Sequence, residues 1–283
     1  LISFFRAIIN FYLSDILGFK KMGIEGEKEL FEEFWHRLLS YSSKTALITK
    51  DQRVCFKQLT EYSDNIARAI KHQTGCKGVK IGIWSVSALE IYGSILGIWR
   101  AGAIAIPLNP NENSIKISKI LKKTKVDMVL TESISDLPKQ LKNVPRFGIK
   151  FHQVKKSNER ETASFPGTDD LSTILFTSGS TGIPKGVMLS YRSILGNAEA
   201  MGQSLQLTEN DRLLFNISFH LTSAIAHFVT CMNQGATCVA LNNIAFGNEL
   251  VAQINSYKAT AFGGAPVQLA RIIDHLIERK SSE

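Results

Sequence analysis

Residues 177–186 read TSGSTGIPKG. These ten residues hold four hydroxyl side chains, three glycines, one proline and one lysine, with no acid. Gly179, Gly182 and Gly186 open backbone conformations closed to other residues and let main-chain N–H groups approach a ligand. Successive N–H groups in such a bend form an anion-binding hollow. Thr177, Ser178, Ser180 and Thr181 add hydroxyl donors, and Lys185 adds a point charge on a flexible stem. The combination suits a polyphosphate. The GxxxxGK[ST] order of the usual P-loop is not met, because Pro184 precedes Lys185 and Gly186 follows it. A serine nucleophile elbow is excluded as well, since no GxSxG occurs here. A plain Gly/Ser surface loop is the competing reading. A Pro-Lys-Gly closure between two apolar runs speaks against it.

Working outward, LSTILFT (171–177) reads as a strand running into this loop, and GVML (186–189) as a strand leaving it. Ser190 is placed to cap a helix reaching about residue 206. Then follow a strand (212–218), a helix closed by Gly235, a strand (236–241), a helix (248–257), a strand (260–264) and a helix (267–279). Upstream, 27–42 and 59–73 read as amphipathic helices flanking two short strands, 45–49 and 53–56. VKIGIW (79–84), a helix over 87–101 with Ser87 at its start and Gly102 past its end, and AIAIPLN (103–109) have the length of a parallel βαβ unit. A helix (114–123) and a strand (126–131) extend it, and 132–168 read as a polar connecting stretch. Alternation of this kind predicts an α/β fold with parallel-rich sheets covered by helices. We expect a first α/β subdomain over 22–168 and a second over 169–283. The chain stops straight after a helix with no closing strand, which suggests truncation.

Composition agrees with a globular chain: 283 residues, 44% hydrophobic and 20% charged. The four cysteines are scattered and build no disulfide framework, which points to a reducing compartment, the cytoplasm. The net charge of +8 is uneven: residues 1–160 carry 26 Lys/Arg against 15 Asp/Glu, and residues 161–283 carry 7 against 10. No aromatic residues interleave with the lysines of KISKILKKTK (116–125), so a solvated helix face is favoured over nucleic-acid binding. Residues 1–21 open with an apolar run broken by Arg6, Asn10 and Asp15, too short for a membrane span and a poor secretion signal. Its wide apolar face fits packing on a neighbour, peripheral contact with a membrane surface, or sequence outside the working protein. His220, His227, Cys231 and Cys238 look like a zinc set, but their spacings contain no CxxC or HxxxH knuckle, which favours core packing.

TSGSTGIPKG resembles the phosphate loop of the AMP-forming adenylating superfamily, which holds acyl-CoA synthetases, adenylation domains of peptide synthetases and luciferases. The resemblance extends through 170–194, upstream through LEIYGSILGIWRAGAIAIPLNP (89–110), and downstream through 207–220 and 257–273. It covers residues 25–283, about the first half of a typical member. It implies that a carboxylate attacks the α-phosphorus of ATP, releasing pyrophosphate, and that a thiol of CoA or of a carrier-protein phosphopantetheine takes the acyl group. It implies ATP contacts at Thr177, Ser178, Gly179, Ser180, Thr181, Gly182, Lys185 and Gly186, with Lys185 catalytic and Thr177 helping to hold Mg2+.

Phe219 and His220 stand where acyl-CoA synthetases have a Phe-His at the acyl pocket. No acid lies between Asp211 and Glu249, where the peptide-synthetase type places an aspartate, so a simple or fatty carboxylic acid is the expected substrate. Ser190 and Tyr191 depart from the family's Thr-His. The family's later YGxTE-like motif, ribose-binding aspartate and C-terminal catalytic lysine fall beyond residue 283, so these residues alone are expected to be a poor adenylating enzyme. A carrier-loading adenylation domain, a non-catalytic remnant and a simple nucleotide-binding module remain alternatives.

Overall fold

The computed structural model describes residues 29–75, 78–133, 137–152, 165–177, 184–241 and 244–281. The apolar run at 1–21 and the tip of the 177–186 loop lie outside them. The described chain forms two compact units, one of residues 28–43 and 56–196, the other of 44–55 and 197–283.

The first unit is built on a six-stranded sheet. Its strands are β3 (Lys80–Trp84), β4 (Ile104–Leu108), β5 (Met128–Thr131), β6 (Arg146–Gly148), β7 (Leu171–Thr177) and β8 (Lys185–Ser190). They lie in the order β6-β5-β3-β4-β7-β8. β6, β5, β3, β4 and β7 run parallel, and β8 turns back antiparallel to β7. β5 is buried at every position, as expected of an inner parallel strand covered on both faces. The helices of this unit are α1 (Leu30–Ser40), α2 (Phe56–Thr74), α3 (Ala88–Arg100) and α4 (Ser114–Thr124), and it holds the start of α5 (Tyr191–Ser204).

α3 is buried along its whole length, so it must be apolar all round or pair its polar groups. It does both. Gly93 and Gly97 let α2 pack directly against its backbone, with the Ser63 hydroxyl donating to the Gly93 carbonyl at 3.0 Å. A Cβ on Gly97 would stand 2.7 Å from the Ser63 carbonyl oxygen and 2.8 Å from Ile66. Gly97→Ala is therefore expected to push α2 off α3 and destabilise the unit by about 1–3 kcal/mol, despite the better helix propensity of alanine. A thermal melt checks this, and an unchanged midpoint would refute the close packing.

The described parts of 132–168 hold more structure than their polarity suggests. Leu137, Leu141 and Ile149 are buried, a 3-10 turn forms at Lys139–Leu141, and β6 adds an edge strand beside β5. A three-residue strand whose middle residue alone is half-buried carries too little periodicity to be read in sequence.

The second unit holds a five-stranded sheet. Its strands are β1 (Thr45–Ile48), β2 (Arg53–Cys55), β9 (Arg212–Phe215), β10 (Thr237–Ala240) and β11 (Ala261–Gly263), in the order β11-β9-β10-β1-β2. Its helices are α6 (Thr222–Gln234), α7 (Gly247–Ser256) and α8 (Pro266–Ser281). Gly235 closes α6 at φ 69°, as the sequence indicates. The 168/169 boundary read from sequence does not follow the sheets. β7 and β8, after it, complete the first sheet, while β1 and β2, before it, join the second through Leu47↔Cys238 and Ile48↔Val239. Pairing across some 190 residues leaves no local signal. Cys231 and Cys238 are buried thiols of this core, and burial raises the Cys238 pKa well above the ordinary thiol range.

Among the described residues, no helix is long and apolar enough to cross a membrane.

Candidate functional site

β7 emerges at the carboxyl edge of the parallel sheet beside β4, with Thr173 in register with Ala105. Ligands of open α/β sheets bind outside the carboxyl ends of the strands. β8 returns antiparallel, and the register places Phe176 opposite Gly186 and Thr177 opposite Lys185. Paired antiparallel residues sit with Cα atoms about 4.5–5.5 Å apart, so Thr177 and Lys185 form the two sides of one mouth. Ser178, Gly179, Ser180, Thr181 and Gly182 belong to the loop tip outside the described residues. Pro184 is buried at the return of the loop and Lys185 is exposed. Among the described residues, no carboxylate pairs with the Lys185 ammonium. Gly186 faces the Phe176 ring, which a Cβ would approach to 3.2 Å.

The base of the hairpin is anchored by contacts that no local pattern announces. The Trp99 indole N–H, on α3, reaches the Ser172 carbonyl and the Thr173 hydroxyl, each at 3.1 Å. The Ser172 hydroxyl donates to the Leu189 carbonyl across the hairpin at 2.8 Å. The Tyr191 hydroxyl donates to the Trp99 carbonyl at 3.2 Å, and burial raises its pKa well above the ordinary phenol value. Phe31, Trp99 and Tyr191 pack as one aromatic cluster, with centroids 5.2–6.2 Å apart. The Ser190–Tyr191 departure thus has a structural use. Ser190 Oγ accepts from the Ser193 N–H at 3.2 Å, capping α5 as expected, and Tyr191 ties the hairpin to α3.

Ser87 behaves differently from the sequence reading. Its hydroxyl donates to Glu90 Oε2 instead of capping α3. Glu132, at the end of β5, takes over that place, accepting from the Ser85 hydroxyl and from the Val86 N–H at 3.1 Å. Glu90 Oε1 accepts from the Phe151 N–H at 3.2 Å. Glu132 thus ties the carboxyl end of β5 to that of β3, and Glu90 ties α3 to the segment after β6.

Phe219 and His220 lie in the second unit, in the turn after β9. Phe219 is buried and His220 half-buried. A polar network fixes the loops leaving this sheet. Asn216 Oδ1 accepts from the Ala245 N–H at 2.8 Å and from Gln268 Nε2 at 2.9 Å, while Gln268 Oε1 accepts from the Ala265 N–H at 2.8 Å. The segments after β9, β10 and β11 are joined by it, at the carboxyl ends where the Phe219–His220 turn begins.

On α6, His227 pairs through Nδ1 with the Ser223 carbonyl at 2.6 Å and packs on Phe215, in space left open by Gly263. Burial lowers its pKa below the ordinary imidazole value. With the folded-state pKa depressed, the unfolded chain takes up the proton first. Stability is then full above the unfolded pKa of about 6.5 and falls as the pH drops below it. The denaturant midpoint of the second unit is expected to fall between pH 7.5 and 5.5, and His227→Gln to flatten that fall. An equally steep fall in the variant would exclude His227 as its source.

The family model of the AMP-binding enzyme matches residues 34–282. The chain belongs to the AMP-binding enzyme family. It is 28% identical over 267 residues to 3-[(3aS,4S,7aS)-7a-methyl-1,5-dioxo-octahydro-1H-inden-4-yl]propanoyl:CoA ligase of Rhodococcus jostii, across 83% of this chain and 52% of that ligase. It is 29% identical over 237 residues to a linear gramicidin synthase of Brevibacillus parabrevis, across 80% of this chain and 3% of the synthase. Among solved structures it superposes on o-succinylbenzoate CoA synthetase from Bacillus subtilis, in complex with an acyl-adenylate intermediate. The TM-score is 0.75 at 23% identity, covering 85% of this chain and 63% of that one, and the likeness is one of fold. This AMP-binding chain spans about half the length of the curated ligase.

Proposed function

We propose that this chain supplies the phosphate-gripping part of an enzyme that activates a carboxylic acid as its acyl adenylate. The observation that carries the reading is the hairpin mouth, which sets Thr177 opposite Lys185 at the carboxyl edge of the parallel sheet in an AMP-binding enzyme. The acid is ionised at neutral pH, with a reference pKa of about 4, so it needs no general base. The obstacle is repulsion between an anion and a polyanion, which positioning and positive charge lower. A carboxylate oxygen bonds to the α-phosphorus, the bond from that phosphorus to the bridging oxygen breaks, and pyrophosphate leaves with the electron pair. The loop N–H groups, its hydroxyls and the exposed Lys185 ammonium neutralise the leaving oxygens.

No cluster of three His, Cys, Asp or Glu side chains is placed to hold a metal among the described residues. A Mg2+ ion here fits the hard-oxygen pattern of phosphate, water and a hydroxyl, with Thr177 as the residue proposed to hold it. When bound, it supplies charge neutralisation on the phosphates.

Phe219 and His220 are proposed to face the acid. A histidine in place of an acid favours a simple carboxylic acid over an amino acid, and a thiol of CoA or of a carrier phosphopantetheine is the proposed acceptor. Similarity to gramicidin synthase keeps the carrier-loading reading as the second. The 283 residues by themselves are proposed to adenylate poorly.

The test is pyrophosphate release from ATP by the complete protein, with hydroxylamine trapping, across fatty, aromatic and amino acids. Release with simple acids supports the reading and release with amino acids moves it to the carrier-loading type. No acid-dependent release sinks both. Full-rate release by residues 1–283 alone would overturn the assignment of a partial role.

A further inference from the structure

Much of the chain's basic excess falls in one stretch of the first unit. Residues 114–150 hold nine Lys/Arg against three Asp/Glu, in a chain whose whole net charge is +8. The structure gathers these cations around a single hydrophobic cluster. Ile117 and Ile120 of α4 and Leu137 and Leu141 of the 3-10 segment pack into the same core with Val129 and Leu108. Their polar neighbours are left facing solvent. On α4 and just past it, Lys119, Lys122, Lys123 and Lys125 are exposed. Around the 3-10 turn, Lys139, Lys142 and Arg146 are exposed as well.

Two of the three acids are engaged locally. Asp127 accepts from the Lys80 N–H at 2.8 Å, and Glu132 holds the start of α3. The third, Asp136, lies outside the described residues. Ile115, at the head of the same helix and one turn before Lys119, is 68% exposed.

From this face we infer a docking surface for an anionic lipid bilayer. The chemistry separates that partner from others. Six of the seven exposed cations are lysines, strongly hydrated point charges on flexible stems, suited to diffuse attraction by a plane of negative headgroups. A tight protein partner needs an apolar anchor seated in a recess. Here the large exposed apolar side chain is Ile115, on a convex helix. Single-stranded nucleic acid is gripped by aromatic stacking platforms, and α4 carries no aromatic residue. Ile115, beside the cations, is placed to enter the headgroup layer. The inference is independent of the adenylation reading.

Co-sedimentation of the 283-residue chain with phosphatidylcholine vesicles containing 30% phosphatidylserine, against phosphatidylcholine alone, tests it. Partitioning is expected to favour the anionic vesicles and to collapse as salt rises from 0.05 to 0.5 M. The triple variant Lys119→Glu, Lys122→Glu, Lys123→Glu should lose about a hundredfold in partition coefficient. A control that reverses the same number of charges elsewhere (Lys50→Glu, Lys57→Glu, Lys258→Glu) should lose far less. Thermal melts confirm that each variant is folded.

Equal binding to neutral vesicles, or an equal loss in the control, overturns the inference. So does failure to bind anionic vesicles while the chain binds an acidic polypeptide or RNA in a manner abolished by the α4 reversal. If the triple variant does not fold, Lys139→Glu with Lys142→Glu replaces it with the same expected direction.

Discussion

Replacing Lys185 with alanine is expected to weaken ATP binding about 10- to 100-fold while leaving AMP binding unchanged. Lys185 stands opposite Thr177 in the hairpin register and no described carboxylate pairs with it, so its charge is proposed to meet the β- and γ-phosphate oxygens. A hydrogen bond to a charged group contributes about 1.5–3 kcal/mol, which sets that range. AMP lacks those two phosphates and so makes no use of the contact. In the complete protein, acid-dependent pyrophosphate release should fall by about 10²–10³-fold, the usual loss on removing one donor to developing charge. Stability should stay within about 0.5 kcal/mol, because the side chain is exposed on an edge strand. Nucleotide titration with ATP and AMP in parallel reads the difference. An equal loss for both nucleotides, or no loss for either, would remove Lys185 from the phosphate site. Lys185→Arg should keep part of the affinity, since it retains charge but changes its geometry.

The second large effect is at Trp99. Its ring is fully buried between Phe31 and Tyr191, and its N–H joins α3 to the base of the β7–β8 hairpin alongside the Tyr191 hydroxyl. Trp99→Ala should destabilise the first unit by about 3–5 kcal/mol, the cost of removing a large buried aromatic and leaving a cavity. Trp99→Phe separates packing from hydrogen bonding. It keeps most of the apolar contact but leaves the Ser172 carbonyl and the Thr173 hydroxyl without the indole donor, for about 1–3 kcal/mol. The phenylalanine variant should also weaken ATP binding relative to wild type, because the register that sets Thr177 against Lys185 starts at this tie. Denaturant melts and nucleotide titration of both variants supply the check. A Trp99→Phe protein with wild-type stability and affinity would show that the hairpin is held by its strand pairing alone.

Much of the architecture was legible along the chain because its causes are local. The run LSTILFT is β7 to the residue, Ser190 caps α5 through Ser193, and Gly235 ends α6 in a left-handed turn. Alternating buried strands and amphipathic helices need only periodicity and caps, both of which act over a few residues. The loop's proposed chemistry rests on the same kind of local signal, glycines, hydroxyls and a lysine in one short stretch, while its tip lies outside the described residues. The polar stretch 132–168 misled because β6 rests on pairing with β5 and not on its own pattern. Ser87 misled because Glu132, 45 residues away, competes for the start of α3.

What the sequence determined by itself is the kind of elements present and where a strand breaks into the glycine- and hydroxyl-rich bend, since a turn's residues limit its own backbone. What only the tertiary structure decided is which distant pieces meet: β1 with β10, Trp99 with Ser172, α4 with the turn that carries Lys139 and Lys142. Those meetings are chosen by the burial of whole faces against one another. That free energy belongs to no single segment, and so no single segment displays it.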